Sequence, residues 1–143
     1  MSKWLEPALW HLEYANFDAM WEEVAPHLER ALACTIGKAE VTIDQMKLLA
    51  RSGHYKIVSV RRGEECIGAL AVEFVDYPEF RSANVAAMGG KHLVDDRGLW
   101  GQFAAWLKRN GASHVEATCR DEVAAVLRRK VRGQSAVFIR GEL

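Results

Sequence analysis

The chain has 143 residues, half of them hydrophobic and 27% charged, with 19 basic against 19 acidic side chains and therefore no formal net charge. That length is one ordinary domain with a full core, taken here as residues 1–143, and the composition excludes a disordered or collagen-like chain. Balanced charge removes the whole-molecule field on which binding to nucleic acid or an anionic membrane relies, so neither partner is expected; weak self-repulsion points instead to a protein partner or self-association.

The N-terminal MSKWLEPALWHLEYANFD lacks a basic start followed by an apolar run, and no stretch approaches the roughly 18 apolar residues of a membrane helix, so a cytoplasmic protein is expected. Trp4 and Trp10 lie outside any periodic stripe and are candidates to dock on the domain or anchor another chain. Phe17, Met20, Trp21, Val24, Leu28, Ala31 and Leu32 recur at helical spacing over 16–34, predicting a helix with a kink at Pro26, where a backbone donor is lost, or two short helices meeting there. Thr42 and Gln45 stand at capping-box spacing ahead of Ile43, Met46, Leu49 and Ala50, and Gly53 is placed to end that second helix.

From Tyr55 the period changes to two. YKIVSVRRGEECIGALAVEFV reads as two antiparallel strands joined across Arg61 to Glu65, and SANVAAMGG, after the Tyr77-Pro78 break, reads as a third strand in the sheet interior. Leu99, Trp100, Phe103, Ala104 and Leu107 mark a helix capped by Asp95 or Asp96 and closed by Asn110-Gly111. SHVEATC returns as a strand, and a strand, helix, strand passage predicts parallel pairing between 83–89 and 114–119. Asp121 caps a last helix carrying Val123, Val126 and Leu127, and SAVFIR is expected to finish the sheet as an edge strand. The fold class that follows is α/β, with a mixed, mostly antiparallel sheet holding one parallel central pair.

The stretch VAAMGGKHLVDDRGLW joins a strand, two glycines and a helix N-terminus, an arrangement that gathers unpaired backbone N–H groups and the positive end of a helix dipole at one spot. Asp95 and Asp96 stand where an anion would sit, and a carboxylate there uses the same donors. Three cysteines, Cys34, Cys66 and Cys119, give no disulfide framework, and the five histidines have no ligand-like spacing, so no metal is expected. Cys119 beside Arg120 reads either as a thiol activated by its cationic neighbour or as a small core residue. Arg128, Arg129, Lys130 and Arg132 form a basic run that reads as a solvated helix end, or as an anion site should Arg120 and Arg140 join it.

Taken together, this element order resembles the GNAT acyltransferase superfamily over nearly the whole chain. TIDQMKLLARSG, YPEFRSANVAAMGG and GLWGQFAAWLKRNGASHVEATCR look, more narrowly, like the small GNAT-like proteins of tailed phages. The resemblance implies that the backbone of Ala87, Met88 and Gly89 holds the pantetheine arm of acetyl-CoA, a role that small side chains permit; tight packing of the strand against a helix explains the same residues. It also implies a diphosphate loop at Arg97, Gly98 and Gly101, but the family pattern set on Arg97 wants glycine at 100 and a small residue at 102, where this chain has Trp100 and Gln102.

For catalysis the family implies a carboxylate base and a tyrosine acid. Glu73, on a strand face with Ile67, Ala69 and Ala71, is the candidate base, its proton affinity raised by an apolar setting; a solvent-facing strand end is the alternative, and the one the residues favour. Tyr77 is the nearby tyrosine, and none follows it in the chain. Two functions follow: a non-catalytic scaffold of phage assembly with a degenerate acyl-CoA site and no cofactor, which the off-register loop and missing tyrosine favour, or an acetyl-CoA-dependent N-acetyltransferase acting on an amine.

Overall fold

The computed structural model describes residues 7–12, 16–34, 40–90 and 97–143, with the backbone alone at His11 and Arg97. The order is β1 (Ala8–His11), α1 (Phe17–Ala33), α2 (Ile43–Arg51), β2 (Lys56–Arg62), β3 (Glu65–Asp76), β4 (Arg81–Gly90), α3 (Arg97–Arg109), β5 (His114–Glu116) and α4 (Asp121–Val131). One sheet runs β1-β2-β3-β4-β5, antiparallel throughout except for the parallel β4–β5 pair.

Alternation along the strands splits the core into two layers. Ile57, Ala69, Ala71 and Ala87 meet Trp21, Val24 and Leu28 of α1 and Met46 and Ala50 of α2, all buried. Val58, Val60, Leu70, Val72 and Ala83 on the opposite face meet Leu99, Phe103, Trp106 and Leu107 of α3. Leu28, Val24 and Met46 are fully enclosed, so truncating any of them to Ala removes on the order of 2–5 kcal/mol.

α1 is one helix from Phe17 to Ala33 with Pro26 inside it, not two short helices meeting there. Pro26 and Glu22, whose carbonyl loses its partner, are both exposed. Glu22 is therefore open to solvent, and buried Trp21, Val24 and Leu28 hold the helix to the sheet on both sides of the proline. α2 begins with the predicted capping box, Thr42 accepting from the Gln45 backbone and the Gln45 side chain accepting from the Thr42 N–H. It ends at Gly53, whose φ of +88° costs a glycine nothing.

Three other expectations are corrected. Ala8–His11 forms an antiparallel edge strand beside β2; four residues are too few to show a period, and Trp10 stays 55% exposed on it. SAVFIR is not a strand: 134–143 is irregular, with Val137 88% and Ile139 87% exposed. α4 buries no side chain, so nothing carries the segment to a sheet edge, and β propensity without a partner strand gives no ladder. Ile67, predicted on the face of Glu73, packs instead toward α3. A bulge opposite the Val60/Arg61 step leaves Ile67 as the extra residue and shifts the alternation there.

Gly89 is where α1 and the sheet come closest. A Cβ built on it would stand 2.0 Å from the backbone oxygen of His27 and 2.6 Å from its carbonyl carbon. Gly89→Ala must therefore push α1 off the sheet, with an expected loss of about 1–3 kcal/mol in denaturant unfolding. Thr42→Ala, which removes the capping hydroxyl, is expected to cost about 1 kcal/mol in the same measurement.

Candidate functional site

The parallel ladder is short. Ser82, Ala83 and Asn84 of β4 lie in register with His114, Val115 and Glu116 of β5, and β5 then ends, three residues earlier than the sequence suggested. β4 runs on to Gly90. Ala71 and Val72 of β3 face Ala87 and Val85, which leaves Ala86 as an extra residue in β4 directly after the last parallel pair. A bulge bends and twists its strand, so the two strands part at Asn84, and alternate backbone groups from Val85 to Gly90 have no β5 partner. Ala87 and Gly89 are buried toward α1 and Met88 is half-buried toward α3. The small side chains are thus explained by helix packing, most directly at Gly89, while the main chain beyond Asn84 has no β5 residue in register with it.

A row of polar side chains crosses the α1/α2 face at this parting. Glu73 lies opposite Asn84 in the β3–β4 ladder, and its Oε1 accepts from the Asn84 side-chain amide at 2.7 Å. Its Oε2 lies 2.9 Å from Nε2 of His54. The Glu73 side chain is 26% exposed, so it is open to a further donor, and a carboxylate has lone pairs left after the Asn84 bond. His54 sits in the turn that Gly53 creates after α2, with its N–H bonded to the Leu49 carbonyl at 2.9 Å and its ring edge-on to Tyr55 at 4.7 Å. Burial, then the negative charges of Glu73 and Glu40, push the Tyr55 phenol above its ordinary range.

Val115 packs toward α3, so His114 and Glu116 project to the same face as Glu73 and Asn84. The row continues there: the Tyr77 hydroxyl donates to Glu116 at 3.0 Å, and the Phe80 ring stacks on His114 at 3.9 Å. The Glu116 bond is the main cause that raises the Tyr77 pKa. Tyr77 thus reaches the row through Glu116, not through a contact with Glu73. His54, Asn84 and Glu116 were missed from sequence; each lies far from Glu73 along the chain, and only strand register gathers them.

The helix side of the gap is partly described. Asp95, Asp96 and His92 lie outside the described residues, as does the Arg97 side chain and, at the N-terminus, Trp4. Gly98 is exposed in the first turn of α3, and a Cβ on Gly101 would meet nothing within 4 Å. Trp100 packs toward the α3 core layer beside Phe103, with the Lys130 ammonium 5.9 Å above its ring.

The activated-thiol reading of Cys119 is corrected. Burial pushes its thiol up, outweighing the Arg128 charge that lowers it. The basic run does not converge: Arg120 pairs with Glu122, Arg140 with Glu40, and Arg128 donates to Ser135. Among the described residues no three His, Cys, Asp or Glu side chains gather as a metal site, and no helix is long and apolar enough to cross a membrane.

No family model matches the sequence, and no curated protein is similar to it in sequence. Solved structures are similar in fold. An aminoglycoside acetyltransferase from an uncultured soil metagenomic sample, in complex with sisomicin, matches with a TM-score of 0.67 at 11% identity, over 96% of each chain. A GNAT family acetyltransferase of Staphylococcus aureus gives 0.64 at 10% identity, over 96% of this chain and all of that one. A Thermus thermophilus protein gives 0.58 at 20% identity, over 95% and 96%. None of these points to tailed phages. With a mixed sheet that parts at its one parallel pair, and these structures alike along its length, the chain has the fold of the GNAT acetyltransferases.

Proposed function

We propose that the chain is an acetyl-CoA-dependent N-acetyltransferase acting on an amine. The observation that carries this reading is the coincidence, at one ladder position, of the parting of β4 from β5 and the Glu73 carboxylate. Backbone groups of Ala87, Met88 and Gly89 are placed to pair with a pantetheine amide, in the way a missing strand would. Bound acetyl-CoA supplies the acetyl group as a thioester. Arg97, Gly98 and Gly101 are the candidates for its diphosphate; two exposed glycines at the start of α3 keep side chains away from the helix N-terminus there.

The chemistry assigned to the chain's own residues is modest. Glu73 takes the proton from the amine nitrogen as that nitrogen bonds to the acetyl carbon and the carbon–sulfur bond breaks, the sulfur leaving as thiolate. Asn84 and His54 hold the carboxylate in place. Tyr77 has no assigned role as the acid: its proton lies toward Glu116, which holds it more tightly. The scaffold reading rested on the off-register loop at Trp100 and Gln102 and on the missing tyrosine; in the fold Trp100 packs toward the α3 layer and the Gln102 side chain accepts from the Leu9 N–H.

Acetyl-CoA at 100 times its dissociation constant is expected to raise stability by about 2.7 kcal/mol, read as a rise in Tm; an unchanged Tm at millimolar ligand overturns the reading. Thiol release from acetyl-CoA with a panel of primary amines, sisomicin included, is expected to fall on the order of 100-fold or more in Glu73→Gln, with acetyl-CoA binding unchanged. Equal turnover by that variant removes Glu73 from the mechanism.

A further inference from the structure

Glu73 has a polar neighbour at each carboxylate oxygen, and the two differ in kind. Asn84 is always neutral. His54 is an imidazole, the side chain type whose charge changes between about pH 5 and 8, and its Nε2 lies 2.9 Å from Oε2 of Glu73. The imidazole is held from three directions: the backbone N–H bond to Leu49 fixes its turn, the Tyr55 ring lies edge-on beside it, and the carboxylate meets its outer nitrogen. Half of the His54 side chain remains open to solvent, so its other ring nitrogen exchanges protons with water. The titratable groups around it are Glu73 on β3, the Tyr55 phenol in the turn before β2, and Glu40 ahead of α2, whose charge acts on Tyr55.

We propose that His54 is a positioning residue for the Glu73 carboxylate, and that protonating its ring turns their 2.9 Å contact into an ion pair that a cationic amine must displace. With a neutral ring, Nε2 stands against Oε2 while the Asn84 amide donates to Oε1. The carboxylate is then flanked on both oxygens, and its free lone pairs are left for the incoming N–H. With a charged ring, the imidazolium and the ammonium of the acceptor compete for one carboxylate, so the apparent affinity for a cationic acceptor falls while the chemistry of the bound amine is unchanged. The acceptors this site discriminates by pH are therefore amines that bind as cations.

This inference rests on Glu73 being the proton acceptor, and its test separates the two. KM and kcat for an amine such as sisomicin are followed from pH 5.5 to 8.5 in the wild type, His54→Gln and His54→Ala. Gln donates a hydrogen bond but takes up no proton at these pH values. It is expected to restore the kcat lost in His54→Ala and to abolish that part of the rise in KM at low pH which the wild type shows; protonation of the acceptor is common to both proteins and cancels. Without any substrate, a long-range 1H–15N spectrum at pH 8 is expected to show His54 as the Nε2–H tautomer in the wild type, with that preference lost in Glu73→Ala. Superimposable KM profiles for the wild type and His54→Gln, or an unchanged tautomer in Glu73→Ala, overturn the proposal while leaving Glu73 as base. Full turnover by Glu73→Gln overturns both.

Discussion

The parallel ladder between β4 and β5 closes over three residues and then stops, and the rest of the molecule is arranged around that stop. Ser82 to Asn84 are paired on both sides, so the sheet is rigid up to Asn84. Ala86, inserted as a bulge, then turns the rest of β4 away with one edge unpaired. An interior strand with free N–H and C=O groups is costly unless something satisfies them. The same constraint that makes this edge a weakness for folding is what the proposed acetyl-CoA site draws on.

Both faces of the sheet are used to keep that edge in place. On one side, α1 presses so closely that His27 leaves room only for glycine at position 89; on the other, Leu99, Phe103 and Leu107 of α3 close over Val72 and Ala83. The polar row from His54 through Glu73, Asn84 and Glu116 to Tyr77 lies on the α1/α2 face at the last position where all three strands are still in register. Rigidity and reactivity therefore meet at one level of the sheet: the paired part sets the distances, and the unpaired part leaves the space.

Much of this was legible in the chain. The capping box at Thr42, the change of period at Tyr55 and the strand, helix, strand passage into SHVEATC each follow from local chemistry, and each stands in the structure. Glu73 was found as a carboxylate on an otherwise apolar strand face, and Ala87 to Gly89 as an unusually small-sided strand. What could not be read was register. The bulges at Ile67 and Ala86 change which face a residue takes without leaving a local signature; Asn84 and Glu116 come level with Glu73 through strand register, and His54 reaches it from the turn ahead of β2. SAVFIR failed for a related reason, since a strand needs an edge and sequence shows only one of the two partners. The aspartates weighed most heavily against ligand binding lie beyond the described residues, so the case now rests on strand geometry.

Backbone hydrogen exchange tests that geometry directly. Amides from Val85 to Gly90 are followed with and without saturating coenzyme A, against Gly68 to Val72 on β3 as the reference. The account predicts added protection at alternate amides around Ala87 to Gly89 and little change in β3, because the ligand fills the place of a missing strand. Equal exchange of those amides in the presence and absence of coenzyme A would contradict it.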